Sequence, residues 1–405
     1  MKKSLFFAFA VAGMLCSCSS EESIEAGVTA NDGSNNSELV PIKLGMSNSV
    51  ITRGSGTVGG TDNESNVWNG QPIHVFMVDK FNLGENGELK LALDPIKPEQ
   101  KNCLFDNQLM YAPTGVKSDV ASIAPAEGVS TVRYYPTGDG AYSFFAYHVD
   151  TDEEIDTENS AVKGDYVNEN GKIYFNIEID GSQDVMVAKA DDTNENGIDP
   201  NRVFSAYAAR NEIQPNLLFK HLLTRLQFNV TPMGSNKNNI TIKRIAVKSK
   251  TTGQLIVAYT GEELEQLVWT PEQELNYVNL KQRSDEADKK SALIPLNEFV
   301  LDENGSDVGE ALLVSPESNY YLLIELSQEV DTGNGTEVVN YSYGDIDNGQ
   351  AALMINPNEG KDKFEAGHSY KVSIKVYGLE KIVITTTLEP WISNAEDDVD
   401  IDPEA

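Results

Sequence analysis

The chain has 405 residues and an uneven charge, with 63 acidic against 31 basic side chains and a net charge of −32. A surface of that sign repels phosphate backbones, which excludes nucleic acid as a partner. At about 150 residues per domain the length predicts two domains, and the three cysteines are too few for a disulfide scaffold.

The first 18 residues have the features of a bacterial lipoprotein export signal. Two lysines precede an apolar run over 4–14, which is shorter than the roughly 20 residues that span a bilayer. Leu15–Cys18 resembles a lipobox, in which the chain is cut before the cysteine and that cysteine is acylated. Residues 1–17 are therefore expected to be a signal peptide, and Cys18 to carry lipid, such as palmitate, in the outer membrane. The alternative is a plain secretory signal with Cys18 an ordinary thiol.

Regular structure is expected to begin at residue 39, after a polar segment. Residues 18–38 cannot bury enough apolar surface to fold and are expected to form a flexible tether. A period of two then predicts a half-buried strand, whose inward residues are Val40, Ile42, Leu44 and Met46. Arg53 follows at the start of a loop over 53–66 that is rich in Gly, Ser, Thr and Asn.

Strand patterns recur through the rest of the chain. They predict strands at 73–78, 103–111, 132–135, 142–149, 172–179, 217–230, 240–248, 254–259, 320–327, 338–343, 370–377 and 382–388. Both faces of the strand at 142–149 are apolar, which is typical of a central strand. Helical signals are confined to 262–267 and 284–290, and the acidic stretch 150–165 is expected to be a loop.

Many short strands separated by Gly, Asn and Asp turns predict an all-β protein built from antiparallel β-sandwiches. The chain is too long for one sandwich, and a boundary near 211–216 gives two halves of sensible size. The expected domains are therefore 39–210 and 211–393, followed by an acidic tail over 394–405.

Motifs of known enzymes are missing from the sequence, so no catalytic residues are expected. The four histidines lie far apart and form no His-Glu-x-x-His pair, and neither Gly-x-Ser-x-Gly nor a phosphate-binding loop occurs. His148 and His221 lie in apolar strands and are interpreted as core or edge residues. Cys103, the one cysteine left after export, is interpreted as a small buried hydrophobe.

One stretch has the spacing of a calcium loop. Oxygen-bearing side chains on alternate residues followed by Gly197 fit the first half of an EF-hand loop, and the candidate ligands are Asp192, Asn194, Asn196 and Asp199. The twelfth position, where a bidentate Glu belongs, is Val203. A polar surface loop without metal is the alternative, and no other cofactor is expected.

Several segments recur in a characteristic order over the whole mature chain: the lipobox, Thr52–Arg53, Trp68–Gly70 leading into 73–76, Tyr134–Pro136 running to 142–147, Gln183–Ala188, Leu218–Phe228, Phe364–Tyr370 and Glu389–Trp391. Together they resemble the fimbrillin-like family, the type V pilins and their accessory proteins. The resemblance implies two tandem transthyretin-like β-sandwich domains, export as a lipoprotein, and a place in a fimbrium at the cell surface.

The resemblance also implies a mechanism of assembly. In such pilins an arginine-specific protease removes the first strand, and a strand from another fimbrial subunit fills the groove. Arg53 is the expected cleavage site, unless it is only a loop residue and the protein keeps its lipid. The acidic tail is a poor donor strand, so a tip, anchor or accessory subunit fits as well as a stalk subunit.

A second class of function remains open on the sequence. A β-sandwich lipoprotein with exposed aromatic side chains could bind glycans at the cell surface, with Trp68, Trp269 and Trp391 stacking on sugar rings. The sequence does not identify the host or bacterial surface ligand of an adhesive subunit.

Overall fold

The computed structural model describes residues 39–389, with gaps at 48–67, 97–99, 101, 113, 117–120, 126–131, 139, 151–160, 193–198, 235–238, 285–292, 332, 334, 358–360 and 378–380. All of the described residues belong to one compact unit, Leu39–Ala405. The predicted signal peptide, tether and acidic tail lie outside the described residues, as do Cys18, Arg53, Asn194 and Asn196.

Strands account for nearly all of the regular structure in the first half of the chain. They are β1 Pro41–Ile42, β2 Gly45–Ser47, β3 Trp68–Asn69, β4 Pro72–Leu83, β5 Leu89–Leu91, β6 Gln108–Tyr111, β7 Thr114–Val116, β8 Ala121–Ser122, β9 Ala124–Pro125, β10 Arg133–Tyr134, β11 Tyr142–Val149, β12 Val162–Glu169, β13 Lys172–Glu178 and β14 Val185–Ala190. A 3-10 turn, Pro200–Arg202, and a short helix, α1 Ala206–Arg210, follow.

The second half continues in the same way. Its strands are β15 Asn216–His221, β16 Thr224–Pro232, β17 Ile240–Ser249, β18 Thr252–Tyr259, β19 Leu267–Trp269, β20 Asn276–Asn279, β21 Lys281–Arg283, β22 Leu293–Pro295, β23 Phe299–Val300, β24 Ser306–Val314, β25 Tyr320–Asp331, β26 Thr336–Tyr343, β27 Met354–Ile355, β28 Ser369–Tyr377 and β29 Lys381–Glu389, with a 3-10 turn at Ile346–Asn348. No helix of the described part is long and apolar enough to cross a membrane.

The largest sheet has the order β8-β2-β15-β14-β11-β4-β6-β9, with β5 paired to β4. Both of its faces are buried, because successive side chains of a strand point to opposite sides. Phe144 and Ala146 of β11 enter one core, and Phe145 and Tyr147 enter another. We call these the first core and the second core. The two-faced pattern predicted for 142–149 is thus confirmed.

A second sheet, β12-β13-β18-β19, covers the second core. Strand β13 of this sheet supplies Ile173, Phe175 and Ile177 to the second core, while its Asn176 and Glu178 are exposed. The chain reaches this sheet from both halves, since β13 pairs with β18 over Lys172–Glu178 and Thr252–Tyr259. Strands on either side of residue 211 therefore share one layer.

Most of the remaining strands form a sandwich around a third core, which we call the second sandwich; β1-β10, β3-β7 and β21-β22 are separate two-stranded sheets. One sheet has the order β24-β16-β28-β29 and the other β20-β17-β25-β26. Phe228 and Val372 project from the first of these sheets, and Ile245 and Ile324 from the second. The described residues thus form an almost entirely β structure, which confirms the predicted all-β class.

Several local predictions from the sequence are wrong. The run 217–230 is not one strand, because the chain passes between sheets at 222–223: β15 pairs with β14 of the largest sheet, and β16 pairs with β24 and β28. The predicted strand 103–111 begins only at Gln108, since Phe105 and Asn107 have φ of 47° and 48° and turn the chain.

One predicted loop and one predicted helix are also wrong, and one strand was missed. The acidic loop predicted over 150–165 ends in strand β12, which begins at Val162. No helix forms over 262–267, where Leu267 starts β19. The strand β24 was not predicted, because Val308 is the only buried apolar residue of its first half, Ser306–Glu310, and continuous burial begins only at Leu312.

Candidate functional site

The segment that opens the described structure, residues 39–47, has the alternating burial that the sequence predicted. Val40, Ile42, Leu44 and Met46 are 7%, 8%, 6% and 0% exposed, respectively, and all four belong to the first core. Lys43, between two of them, is exposed. The segment therefore fills one side of a groove in the first core.

Hydrogen bonds hold this segment from two sides. The backbone N–H groups of Tyr135 and Ile123 donate to the carbonyl oxygens of Val40 and Leu44 at 2.9 and 3.1 Å. On the other side, Gly45 donates to the carbonyl of Pro215 at 3.0 Å.

Within the largest sheet β2 lies between two strands. It pairs antiparallel with β8 and in parallel with β15, where Asn216–Leu218 face Gly45–Ser47. Removing 39–47 would leave β8 and β15 with unpaired backbone groups and would uncover apolar side chains beneath them. An unpaired edge next to an apolar groove accepts an added strand, with main-chain hydrogen bonds for affinity and alternate side chains for register.

The second sandwich has a long edge strand of its own. Strand β29 pairs with β28 over nine residues, Lys381–Glu389 against Ser369–Tyr377, without a bulge. It is the last strand of its sheet among the described residues. Ile382 and Ile384 pack against the third core, so β29 is held by side chains as well as by backbone pairing.

A polar cluster lies at one end of the largest sheet, where the sequence predicted core histidines. His148 of β11 and His221 of β15 are 1% and 4% exposed, and both flank Met186 in register. The Nε2 atom of His148 is 2.9 Å from Asp150, and the Nδ1 atom of His221 is 2.9 and 2.7 Å from the two carboxylate oxygens of Asp184. The interpretation of these histidines as core residues is confirmed.

The two acidic residues of this cluster are linked through the backbone, since the backbone N–H of Asp184 donates to the carboxylate of Asp150 at 3.2 Å. Sequence reasoning missed both acids as partners of the histidines. The available signal was spacing: Asp150 lies two residues after His148, on the same face of the extended chain.

Both ring nitrogens of His148 face acceptors, because Nδ1 also lies 2.7 Å from the carbonyl oxygen of Pro72. Burial by itself lowers the pKa of His148, but the hydrogen bond and charge of Asp150 outweigh it and the pKa is raised. The geometry suits a protonated imidazolium, which donates from both nitrogens. In this arrangement His148 and Asp150 form a buried pair that ties β11 to the start of β4.

The candidate calcium ligands are engaged elsewhere where the structure describes them. The carboxylate of Asp192 lies 2.5 Å from the ammonium of Lys80, and Asp199 accepts from the Asn201 N–H at 2.9 Å at the start of a 3-10 turn. Across the described residues, no group of three or more His, Cys, Asp or Glu side chains is arranged to hold a metal ion. The calcium site stays a prediction, because two of its four ligands lie outside these residues.

Cys103 is partly buried and carries a free thiol. Burial, and then the charge of Asp106, raises the pKa of this thiol above its ordinary value. A raised pKa lowers the thiolate fraction at neutral pH and with it the reactivity of the group. The interpretation of Cys103 as a structural residue fits this environment, although the side chain is less buried than expected.

A cavity of about 490 Å³ lies where the largest sheet, the second sheet and the second sandwich meet. Trp269 of β19 forms part of its wall and is half-buried. His221 and His368 also line it, with Leu222, Leu264 and Leu267 as apolar neighbours.

No curated protein sequence matches this chain, whereas several solved structures resemble it. A structure from Bacteroides uniformis is 14% identical with a TM-score of 0.42, and covers 87% of this chain and 99% of its own. A fimbrial protein from Bacteroides vulgatus is 14% identical with a TM-score of 0.39, at 79% and 92% coverage. The fimbrial anchor protein Mfa2 from Porphyromonas gingivalis is 10% identical with a TM-score of 0.35, at 87% and 98% coverage.

The family assignment rests on sequence, because a family profile described as fimbrillin-like matches residues 61–391. The match spans the central strands of the largest sheet, the second sheet and the whole of the second sandwich, and it begins after the segment 39–47. The resemblance found in the sequence is thereby confirmed, and the chain belongs to the fimbrillin-like family.

Proposed function

We propose that this protein is a non-enzymatic subunit of a type V fimbrium, as a stalk subunit or as a tip, anchor or accessory protein, and that it joins other fimbrial subunits by strand addition. Family membership supports a fimbrial role at the cell surface. The finer proposal, strand exchange, is supported by the observation that residues 39–47 fill an apolar groove.

The segment is suited to act as a removable placeholder. Burying its four inward side chains contributes roughly 6–12 kcal/mol before chain entropy is subtracted, at 1.5–3 kcal/mol each. A donor strand from another subunit would recover that burial by offering apolar residues at the same spacing of two. Cutting at Arg53, beyond the C-terminal end of the segment, would free 18–53 together with the lipid on Cys18.

The proposal includes the route to the cell surface. Export as a lipoprotein would anchor the precursor in the outer membrane through Cys18, and adhesion would follow from display in the fimbrium. Replacing Cys18 by Ala should abolish incorporation of labelled palmitate and release the protein from the membrane fraction. Unchanged retention of acyl label in Cys18→Ala would refute the anchor.

For the domain organisation we propose two tandem transthyretin-like sandwiches with a boundary near residue 211. The pairing of β13 with β18 across that boundary predicts that limited proteolysis near 211 leaves the two fragments associated. Fragments that separate on size exclusion without denaturant would contradict this arrangement.

Strand exchange is tested on the mature protein with an arginine-specific protease. Cleavage at Arg53 should release 18–53 and convert the monomer into oligomers on size exclusion, because the emptied groove accepts a strand from another copy. Arg53→Ala is the matched control and should stay intact at this position and monomeric. A cut protein that loses 18–53 and remains a soluble monomer of unchanged melting temperature would show that the segment is no placeholder.

A further inference from the structure

The cavity of about 490 Å³ has the size of a small-molecule site, since such sites span about 300–1,000 Å³. The chain reaches its wall at the end of β15, in the segment leading into β19, just beyond β24 and just before β28. Most of the wall is apolar, with a few polar side chains among Leu222, Leu264, Leu267, Trp269 and Pro316. Pockets of this make-up hold ligands that are partly apolar and partly polar.

Trp269 brings an aromatic ring to this wall at the end of β19. It lies two residues after Leu267, so both side chains leave the strand on the same face, and Leu267 is buried in the second core. Trp269 packs against that core but is only half-buried. Its cross-strand partner is Gly253, which has no side chain to cover the ring. Part of the indole surface is therefore left for a ligand.

Gln266 places an amide in the same wall. The residue is only 4% exposed, and its side chain makes no hydrogen bond to any residue that the structure describes. A buried amide has two donors and an acceptor oxygen to satisfy, and leaving them unpaired costs free energy. A molecule in the cavity can supply those partners.

Two histidines complete the polar part of the wall, and each is held by a neighbouring acceptor. The Nδ1 atom of His221 lies 2.7 Å from the carboxylate of Asp184. The Nδ1 atom of His368 lies 3.0 Å from the carbonyl oxygen of Ala366. Because these contacts fix both rings, the wall is largely preformed, which lowers the cost of ordering it around a ligand.

We propose that this cavity binds a neutral saccharide. A pyranose ring has apolar C–H faces and a rim of hydroxyl groups. The indole of Trp269 can stack on a C–H face, while the Gln266 amide can both donate to hydroxyl groups and accept from them. The leucines and Pro316 add apolar surface around the edge of the sugar ring.

The charges of the wall select against an acidic sugar. Each of its three basic side chains has a carboxylate partner: Lys220 is paired with Glu263, His221 with Asp184, and His368 lies 3.8 Å from Glu365. Glu265 adds a further negative charge to the wall of a protein whose net charge is −32. A sialic acid or a sulfate group would meet these carboxylates and be repelled.

The site is separate from the groove that residues 39–47 fill. Leu222, Leu264, Leu267 and Trp269 belong to the second core or pack against it, whereas residues 39–47 lie in the first core. Saccharide binding by itself therefore does not depend on the proposed function. Its biological role rests on that function: on a fimbrial subunit this cavity would be the adhesive site, and removal of 39–47 would leave it intact.

The test presents the full mature protein to an array of neutral oligosaccharides of glucose, galactose, mannose, fucose and N-acetylated hexosamines. Sialylated and sulfated forms of the same chains are included, and the free oligosaccharide that binds best is titrated by calorimetry. Trp269→Ala should weaken binding about tenfold or more through the loss of one stacked ring, and Trp269→Phe should lose less. Gln266→Glu keeps the shape of the side chain but removes its amide donors, and it should also weaken binding.

Val268→Ala is the matched control. Val268 is next to Trp269 on the opposite face of β19, is 38% exposed and lies outside the cavity wall. Its replacement should leave the affinity equal to that of the wild type. The melting temperature of each variant shows whether it is folded, and if Trp269→Ala does not fold, Trp269→Phe and Gln266→Glu decide.

Three results would overturn the proposal. One is that no saccharide on the array binds, and another is that Trp269→Ala and Gln266→Glu leave the affinity unchanged. The third is a preference for sialylated or sulfated chains over neutral ones. Failure of the proposed function is a different result: cleavage at Arg53 that yields no oligomers but leaves the saccharide affinity unchanged would remove the strand exchange and keep this site.

Discussion

Truncating Met46 tests whether the segment 39–47 is an integral part of the first core. Its side chain is fully buried between β15 and β8. Met46→Ala removes that apolar surface from the core and leaves a cavity, because the surrounding sheet can relax only in part. Core Met-to-Ala changes cost about 2–5 kcal/mol, and we expect Met46→Ala to lower the free energy of unfolding by that amount.

The measurement is urea unfolding of the mature protein before any proteolysis. Lys43→Ala is the matched control, since Lys43 lies in the same segment with its side chain exposed and its backbone N–H donating to the Gln214 side chain at 3.1 Å. Exposed substitutions of this kind change stability by about 0.5 kcal/mol or less. After cleavage at Arg53, Met46→Ala should also release 18–53 faster than the wild type. Equal stability losses in Met46→Ala and Lys43→Ala would refute the reasoning.

Three further predictions concern other parts of the molecule. The hydrogen bond and charge of Asp150 raise the pKa of His148 above 6.5. The protonated histidine therefore contributes its full stabilisation of the fold below pH 6.5 and loses it as the pH rises through the pKa of the folded state. The difference in unfolding free energy between wild type and His148→Gln should be larger at pH 6 than at pH 9, and a difference that does not change with pH would contradict this. Gly344 has a φ of 78°, and a Cβ there would collide with the Leu322 carbonyl, so Gly344→Ala should lower the free energy of unfolding in urea by about 2–4 kcal/mol. Gly349 has nearly the same φ, 79°, but faces open space, so Gly349→Ala should cost only about 1 kcal/mol. Similar losses in the two variants would rule out the collision. Millimolar calcium should raise the melting temperature of the wild type but not of Asp192→Ala. If calorimetry shows no change in the melting temperature of the wild type, the predicted calcium loop is wrong.

Most strands were predictable because their periodicity survives in the fold. The strand predicted at 142–149 coincides with β11, and the alternation of 370–377 is that of β28, whose inward residues Tyr370, Val372, Ile374 and Val376 are buried. The alternation of apolar residues is visible in the sequence because successive side chains of a strand point to opposite faces, whichever strand it pairs with. The burial of 39–47 was predictable for the same reason.

Pairing partners were not predictable from these patterns. The apolar run 217–230 reads as one strand, but the chain leaves β14 after His221 and joins β28 from Arg225 onward. The sequence of β18 likewise gives no sign that it pairs with β13, nearly eighty residues earlier. Periodicity fixes which face of a strand is buried and says nothing about which strand lies beside it.

Some of the candidate sites were predictable from the sequence, and others are formed only by the fold. Local sequence carries the lipobox, the arginine after the first strand and the spacing of the calcium loop, because each depends on neighbours a few residues apart. The cluster of His148, Asp150, Asp184 and His221 and the cavity beside Trp269 exist only in the fold. Their residues come from strands separated by tens of positions.

The sequence by itself determined the all-β class, the inward face of most strands and membership of a family whose segments recur along the chain. Tertiary structure decided which strands share a sheet, where the chain crosses between layers, and that residues 39–47 fill a groove between β8 and β15. The physical reason is that side-chain alternation is a local property of an extended backbone. Sheet order, in contrast, depends on long-range hydrogen bonds and on packing between faces that many sequence positions share.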